Sequence, residues 1–311
     1  MKTLALCIPA YNAAGYLPGI LSSAADQQPP FDEIWVYDDA SKDDTAQVAR
    51  QYGARVVTGK DNQGCSFGKN KLAGLTGCDW VHFHDADDDL LPDFTRRVHH
   101  WIDYHGDDFD VLLLNFDYVD FQTGEHLGSA DHDVAALHED PLRYTILHKV
   151  VNFGVYKIRS FREAGGFDLD RLVLYNEDNA FHQRLAKNGF KFDYLPEVTC
   201  INYRYSASMS SSNLLKCARA NYHVLEKTAA THGTVYPREL AAQLWLGVAS
   251  LAAAQDWIYV KKALALSKSL GYPYSPDGNP LFKVLSKINP FFAARFREQM
   301  IRWFKPKLRG K

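Results

Sequence analysis

Short runs of β-prone apolar residues alternate with amphipathic segments over the first hundred positions of the chain. The apolar runs predict strands at residues 4–8, 33–37, 54–58 and 80–84. Between them, apolar side chains recur with helical spacing at 13–25, 45–51 and 67–75. This alternation is typical of a mostly parallel, doubly wound α/β sheet, in which ligands bind beyond the carboxyl ends of the strands.

The pattern becomes less regular after residue 109 and helical from about residue 213. The middle part predicts strands at 110–116, 190–195 and 198–203, a helix at 179–187 and a polar loop at 120–140. Helical spacing then returns at 214–230, 238–254, 257–270 and 289–304. We therefore predict a Rossmann-like α/β domain over residues 1–212 and a helical C-terminal region over residues 213–311.

The amino-acid composition excludes several classes of protein. The chain has 311 residues, 46% of them apolar and 23% charged, which excludes disordered and low-complexity proteins. The formal charge of −2 argues against a nucleic-acid partner. No apolar stretch approaches the roughly 20 residues needed to cross a bilayer. Five scattered cysteines without a CxxC pair argue against a zinc site or a disulfide framework, and they indicate a cytoplasmic location.

Acidic clusters follow two of the predicted strands. Residues two apart on a strand project to the same side, so Asp85 and Asp87 can converge on one ligand. Paired carboxylates suit Mg²⁺ or Mn²⁺, and a solvated acidic turn is the alternative. Asp88 and Asp89 are expected to be cap and loop residues. After the second strand, Asp39 could accept a hydrogen bond from a ribose hydroxyl or a base N–H.

Two further positions could carry chemistry. Tyr11, after the first strand, could stack on a nucleobase or pack on the surface. Glu177 and Asp178 open a predicted helix, where the helix dipole favours acids, but a carboxylate there is also a plausible general base. The twelve histidines show no metal-binding spacing and are expected to have packing or surface roles.

Taken in order, these motifs resemble family 2 glycosyltransferases of the GT-A fold. The matching stretches are Ile8-Pro9-Ala10-Tyr11-Asn12, Val36-Tyr37-Asp38-Asp39-Ala40-Ser41-Lys42-Asp43, Gly68-Lys69-Asn70, Phe83-His84-Asp85-Ala86-Asp87-Asp88, Gly165-Gly166-Phe167-Asp168, Glu177-Asp178 and Tyr203-Arg204. They span about residues 1–210. The resemblance implies nucleotide-sugar binding in about 1–116 and an acceptor side in about 117–212.

The resemblance also implies roles on the donor side. Pro9 and Tyr11 would flank the base, and Asp39 would hold the base N–H or the ribose. Lys69 stands where the family usually has Arg and would contact base or phosphate less bidentately. The family often has a His shortly after the Tyr-Arg pair, but residues 203–208 here contain none. Either water takes the place of that third metal ligand or metal dependence is weaker.

The remaining implied roles concern the metal and the reaction. Asp85 would touch the ribose or the metal, and Asp87 would bind Mn²⁺ or Mg²⁺ at the diphosphate. Asp178 would be the general base, with Glu177 beside it near the acceptor. One base and in-line attack imply inversion at the anomeric carbon.

The implied function is a hexosyl- or N-acetylhexosaminyltransferase. It would move a sugar, in the first place from a UDP-sugar, to a hydroxyl of a glycan or lipid-linked acceptor in surface polysaccharide or glycoconjugate biosynthesis. One alternative is a catalytically silent nucleotide-sugar-binding or scaffold subunit. A sugar-phosphate nucleotidyltransferase is disfavoured, because the Gly-rich, Arg/Lys-containing loop usual in that class does not follow the first strand.

The C-terminal segment is strongly basic. Residues 283–311 contain nine basic residues and one acid, Glu298, so the segment carries +8 and the rest of the chain −10. The last helix has an aromatic and apolar stripe at Phe292, Phe296, Met300, Trp303 and Phe304. Residues 289–311 are therefore predicted to lie on an anionic membrane surface, at the inner face of the cell membrane. The alternative is that the stripe packs on the catalytic domain.

Overall fold

The computed structural model describes residues 2–151, 153–205, 213–275 and 279–309. These residues divide into two compact units. The first unit contains residues 2–142, 150–151, 153–169 and 184–205. The second contains residues 143–149, 170–183, 213–275 and 279–309, so two short segments from the middle of the chain belong with the C-terminal helices.

A nine-stranded sheet, counted over the described residues, forms the first unit. The strands are β1 (Leu4–Ala10), β2 (Glu33–Asp38), β3 (Arg55–Thr58), β4 (Trp80–Phe83), β5 (Asp89–Leu90), β6 (Val111–Asp120), β7 (His126–Ser129), β8 (Gly154–Lys157) and β9 (Phe192–Arg204). Their order is β3-β2-β1-β4-β8-β6-β9-β5, and β7 pairs with β6. The β3-β2-β1-β4 part is parallel, as the sequence pattern predicts. The other half mixes parallel and antiparallel pairs.

The helices predicted from the sequence are present, and each begins within four residues of its predicted start. They are α1 (Leu17–Ala25), α2 (Thr45–Gln51), α3 (Cys65–Leu75), α4 (Phe94–His105), α5 (Val134–Glu139), α6 (Pro141–Leu147), α7 (Ile158–Glu163), α8 (Glu177–Lys187), α9 (Leu214–His232), α10 (Pro237–Ala253), α11 (Trp257–Ser269), α12 (Pro280–Ile288) and α13 (Pro290–Phe304). Short 3₁₀ turns lie at Leu174–Asn176 and Pro306–Arg309.

The core of the first unit lies around β1. All seven residues of this strand are buried, as expected for a parallel strand covered on both faces. Leu6 and Ile8 belong to one apolar cluster that includes Leu17 and Ile20 of α1 and Phe94 of α4. This packing fixes the strand whose carboxyl end carries the first sequence motif.

Two sequence predictions are wrong at the level of elements. The polar stretch 120–140 contains β7 and α5 rather than a loop. The two strands expected at 190–195 and 198–203 are one strand, β9, with a register shift against Asn115 where Pro196 lacks a ladder donor. Strands β5 and β8 and helices α6, α7 and α12 lie outside the predicted elements. The last of these, α12, has a clear start signal. It starts with Pro280, and the side chain of Asn279 accepts a hydrogen bond from the Phe282 N–H.

The second unit is built on α9, α10 and α11, with α13 packed on the last two. Leu240, Leu244 and Leu251 of α10 are buried there. Helix α13 has the predicted cap: Asn289 accepts a hydrogen bond from the Phe292 N–H at 2.9 Å, and Pro290 follows it. Within the described ranges, no helix is both long enough and apolar enough to span a bilayer.

Candidate functional site

The carboxyl ends of β1, β2 and β4 meet at one edge of the first unit's sheet. The parallel ladders pair β1 with β2 as far as Asp38, and with β4 as far as Phe83. Asp39 directly follows β2 and Asp85 lies two residues after β4, so both reach the edge where the loop after β1 begins. The two acidic motifs and the Pro9 motif are therefore brought together, as the strand order predicts.

The loop after β1 leaves Tyr11 half-exposed, with 47% of its surface accessible. Next to it, Asn12 adopts a left-handed backbone with φ +51°, which Asn tolerates better than most residues. The Asn12 N–H donates to Ser41 Oγ at 2.9 Å, and the Lys42 N–H donates to Asn12 Oδ1 at 2.9 Å. These two hydrogen bonds hold the loop so that the ring of Tyr11 lies at the surface, where it can stack on a planar ligand.

Asp39 is buried and anchors the loop before α3. Its Oδ1 accepts the Gln63 N–H at 2.8 Å, and its Oδ2 accepts the Gly64 N–H at 2.7 Å. Only 4% of its surface is exposed. Carboxylate oxygens have further lone pairs, so this arrangement leaves acceptor capacity for a ligand. The role of Asp39 toward a base or ribose stays a prediction.

Helix α3 carries Lys69 under the site because Gly68 lets the helix lie against the strands. A Cβ at Gly68 would come within 2.9 Å of Tyr37 Cδ1 and 3.1 Å of Pro9 Cβ. The Lys69 side chain is 2% exposed, and its Nζ lies 3.7 Å from Asp85 Oδ1. Its ammonium also lies 5.0 Å from the ring centroid of Phe167. A buried cation therefore stands beside the acidic loop.

The motifs around Asn70 and Phe167 interlock, although 97 positions separate them. Asn70 Nδ2 donates to the Phe167 carbonyl at 2.9 Å, and the Phe167 N–H donates to Asn70 Oδ1 at 2.8 Å. Gly166 has φ +67°, and a Cβ there would lie 2.4 Å from Asn70 Oδ1. The sequence shows both motifs, but only the fold shows that they support Lys69 together.

The acidic loop after β4 contains carboxyl groups in different environments. The Asp85 side chain is 41% exposed and Asp87 is also exposed, whereas Asp88 is buried. Desolvation by the surrounding protein atoms, and then repulsion from the neighbouring Asp85 carboxylate, raise the pKa of Asp87. Burial, followed by repulsion from Asp85 and Asp87, raises the pKa of Asp88 well above its ordinary value. A divalent cation would relieve this repulsion, so the oxygen donors of Asp85 and Asp87 fit a hard metal ion.

Strand β9 holds this loop in place through contacts that the sequence did not indicate. Asp88 Oδ1 accepts the Tyr203 N–H at 2.9 Å, and Asp88 Oδ2 accepts from Asn202 Nδ2 at 2.8 Å. The Tyr203 hydroxyl donates to Asp89 Oδ2 at 3.1 Å. Asp88 lies in the loop, as expected, but it also fastens the loop to β9. Asp89 begins β5 instead of lying in a loop, and Asp93 is the N-cap of α4. The sequence signals from which these contacts could have been inferred are the aspartates at 85 and 87–89 and the pair Tyr203-Arg204.

Two buried histidines lie beneath the loop. His82 Nδ1 donates to the Gly154 carbonyl at 2.9 Å, so its Nε2 accepts from His84 Nδ1 at 2.9 Å. Burial lowers the pKa of His84 to about 3, and burial together with His84 lowers the pKa of His82 well below its ordinary value. Both rings are neutral and fill the core, in line with the packing role that the sequence predicts.

Glu177 and Asp178 form the first turn of α8, and both belong to the second unit. Glu177 is 7% exposed. The Asp178 carbonyl accepts a hydrogen bond from His182 Nδ1 at 2.8 Å, four positions along the helix. The predicted placement of these acids at a helix start is confirmed. The stretch 206–208, where a family histidine was sought, lies outside the described residues.

Comparison with protein families decides the assignment. Residues 5–162, just over half of the chain, match the glycosyl transferase family 2 model. The chain belongs to glycosyl transferase family 2. The matched segment contains the donor-side motifs from Pro9 to Asp87, so the family resemblance seen in the sequence is confirmed.

Curated relatives of this family 2 glycosyltransferase include proteins of Bacillus subtilis and Staphylococcus aureus. TuaG of Bacillus subtilis, named as a candidate teichuronic acid biosynthesis glycosyltransferase, is 26% identical over 230 residues, or 72% of this chain and 87% of that protein. The 4,4'-diaponeurosporenoate glycosyltransferase of Staphylococcus aureus is 44% identical over 91 residues, or 28% of this chain and 24% of that protein.

Solved structures share the fold of this glycosyltransferase at low sequence identity. S. aureus TarS 1–349 in complex with UDP-GlcNAc matches with a TM-score of 0.64 and 16% identity, over 97% of this chain and 92% of that chain. The mannosyltransferase PcManGT of Pyrobaculum calidifontis, in complex with GDP-Man and Mn²⁺, matches with a TM-score of 0.56 and 16% identity, over 96% and 87%. The predicted GT-A α/β fold with C-terminal helices is confirmed.

Proposed function

We propose that this glycosyltransferase is an inverting, metal-dependent enzyme that transfers a hexosyl or N-acetylhexosaminyl group from a nucleotide-diphosphate sugar to an acceptor hydroxyl. The observation that supports it best is the buried Lys69 ammonium, 3.7 Å from Asp85 at the edge of the parallel strands. A cation beside paired carboxylates suits a ligand that brings both a diphosphate and a divalent metal.

The donor side of the proposal uses four residues of the first unit. Tyr11 stacks on the base with Pro9 at its other side, and Asp39 accepts a hydrogen bond from the base or ribose. Lys69 places its charge at the phosphates. We propose a UDP-sugar first, since TarS, the higher-scoring of the two structures, is in complex with UDP-GlcNAc. A GDP-sugar is the second candidate, because PcManGT is in complex with GDP-Man.

Asp85 and Asp87 are the residues that would hold Mn²⁺ or Mg²⁺. When bound, such an ion stabilises the negative charge that develops on the diphosphate leaving group. The protein supplies the rest of the electrostatics, because Lys69 is already desolvated and aimed at Asp85, so it need not reorganise during the reaction.

We assign the general base to Asp178. Its carboxylate takes the proton of the acceptor hydroxyl while the hydroxyl oxygen attacks the anomeric carbon and the bond to the nucleoside diphosphate breaks. A single displacement inverts the configuration at that carbon. Glu177, buried in the same helical turn, is assigned to the acceptor side.

The proposed acceptor is a glycan or a lipid-linked saccharide of surface polysaccharide or glycoconjugate biosynthesis. The name of TuaG supports this class, since it refers to teichuronic acid. We place the reaction in the cytoplasm, where the five cysteines would persist as the thiols found here. A lipid-linked acceptor would bring the enzyme to the inner face of the membrane.

The test is nucleotide release from UDP-, GDP- and dTDP-sugars with and without Mn²⁺. We expect metal-dependent turnover of one donor class, with a loss of about 10²–10³-fold in Asp87→Asn. Asp178→Asn is expected to bind donor normally but to lose about 10²–10⁴-fold in transfer. Asp103→Asn, an exposed acid on α4, is the matched control and should keep full activity.

Two outcomes would contradict the proposal. Tight, saturable nucleotide-sugar binding without turnover of any donor, in wild type as in Asp178→Asn, would favour the silent subunit. Pyrophosphate release from a nucleoside triphosphate and a sugar 1-phosphate would instead favour the nucleotidyltransferase.

A further inference from the structure

The aromatic stripe of α13 points out of the protein. The inner face of this helix is formed by Ala293, Ala294 and Glu298, which are buried. On the stripe, Phe292 is 54% exposed, Trp303 67% and Phe304 72%. Packing within the protein therefore does not account for these rings.

Helix α12 adds a second apolar face. Leu281, Val284 and Ile288 recur at helical spacing and are 67%, 55% and 78% exposed. Between α12 and α13 lies an apolar groove of about 450 Å³, lined among others by Leu285 and Met300. Several large apolar side chains exposed together on two consecutive helices are typical of an interaction site.

The charges around these apolar groups are all positive. Exposed basic side chains flank the two helices at Lys287, Arg295, Arg297, Lys305 and Lys307. The one acid of this segment, Glu298, is buried and bonded to Arg302 and Arg309, each at 2.8 Å. These two ion pairs neutralise Glu298 within the protein. No acidic side chain on the described part of these two helices is therefore left to offset the exposed cations.

We propose that the exposed residues of α12, α13 and the turn Pro306–Arg309, here called the C-terminal surface, dock on an anionic lipid bilayer. Aromatic and aliphatic side chains would enter the interface, and each Lys or Arg near the anionic headgroups adds about 1 kcal/mol of attraction. The inference goes beyond sugar transfer and does not depend on it.

Charge decides between a bilayer and the other occupants. In a symmetric dimer built on the C-terminal surface, the exposed cations would face one another, and this repulsion disfavours a second copy. Nucleic acid would pair with the cations but would leave Leu281, Ile288 and Phe304 without an apolar partner. An anionic bilayer satisfies both the cationic and the apolar groups.

Flotation of the full-length protein with vesicles tests this. The vesicles are phosphatidylcholine alone, or phosphatidylcholine with about 30% phosphatidylglycerol. Wild type should bind the anionic vesicles at least about ten-fold better than the neutral ones. Lys305→Glu/Lys307→Glu should lose about ten-fold or more of this binding. Trp303→Ser/Phe304→Ser should also bind more weakly.

Matched control variants make the same kind of change, in charge or in aromatic surface, at positions outside the C-terminal surface. Arg159→Glu/Lys191→Glu alters exposed residues of the first unit by the same net charge, and Tyr104→Ser removes a ring that is 71% exposed. Both should bind like wild type. Circular dichroism and nucleotide release should be unchanged in all four variants, so a folding defect would be visible.

Equal binding to neutral and anionic vesicles, or equal loss in the controls, would overturn the proposal. A concentration-dependent dimer in lipid-free gel filtration that disappears in Trp303→Ser/Phe304→Ser would also overturn it, and would assign the C-terminal surface to a second copy of the chain.

Discussion

Glu33 shows how one carboxylate can fasten several elements. Its Oε2 accepts from Trp35 Nε1 at 2.8 Å and Thr76 Oγ1 at 2.7 Å, and its Oε1 accepts from Arg55 at 2.6 Å. Burial alone would raise the pKa of Glu33, but the hydrogen bonds from Thr76, Trp35 and Arg55 outweigh it and lower the pKa to about 2. The ionised form is therefore bound more strongly in the folded state.

We expect Glu33→Gln to lower the free energy of unfolding by about 2 kcal/mol at pH 7. The unfolded carboxyl takes up its proton near pH 4.5, and the folded one near pH 2. The stabilisation is thus complete above about 4.5 and disappears as the pH falls toward 2. Urea unfolding at several pH values should show the wild-type and Glu33→Gln curves converging in acid.

The control for this experiment is Glu125→Gln, which changes an exposed carboxylate. It should stay within about 0.5 kcal/mol of wild type at every pH. A gap between wild type and Glu33→Gln that is constant from pH 7 to pH 3 would show that the pKa of Glu33 is not depressed.

At the scale of elements, the hydrogen bonds between β9 and the acidic loop can be tested directly. Asp88 is buried and accepts hydrogen bonds from both Asn202 and Tyr203. Asp88→Ala should leave two donors, Asn202 Nδ2 and the Tyr203 N–H, without their acceptor and let the loop of Asp85 and Asp87 move. We expect the donor KM and the Mn²⁺ concentration for half-maximal activity to rise about ten-fold, equivalent to roughly 1.4 kcal/mol.

The swapped variant Asp88→Asn/Asn202→Asp separates positioning from general instability. The single variant Asp88→Asn should lose metal and donor affinity as Asp88→Ala does. The double variant restores an amide–carboxyl pair between the same two positions, so it should recover much of that affinity. If Asp88→Ala lowers only the melting temperature and leaves the donor KM and the Mn²⁺ requirement unchanged, the hydrogen bonds of Asp88 to β9 have no positioning role.

Elements with a strong local pattern are predictable here, and contacts between distant motifs are not. Helix α2 lies at its predicted residues, Thr45–Gln51. Strand β7 is not apparent from the sequence, because three of its four residues are exposed and the strand shows no alternation of apolar and polar residues. The sequence identified Asp85 and Asp87 as a pair, but the hydrogen bonds of Asp88 to β9 connect positions 114 and 115 residues apart.

At the scale of the whole molecule, the net charge of −2 conceals a strong asymmetry along the chain. Residues 283–311 carry +8 and the remainder −10. An anionic bilayer would therefore attract the C-terminal surface and repel most of the remaining chain. We therefore expect the C-terminal surface, rather than the acidic part of the chain, to face the lipid.

Ionic strength should separate the two parts of membrane binding. Between about 0.1 M and about 1 M salt the Debye length falls from about 10 Å to about 3 Å, which screens headgroup attraction but not apolar insertion. Wild-type binding to anionic vesicles should therefore fall steeply with salt, and Lys305→Glu/Lys307→Glu should show a shallower slope. Trp303→Ser/Phe304→Ser should bind more weakly at every salt concentration with the wild-type slope. Identical slopes in all three proteins would mean that Lys305 and Lys307 do not face the lipid.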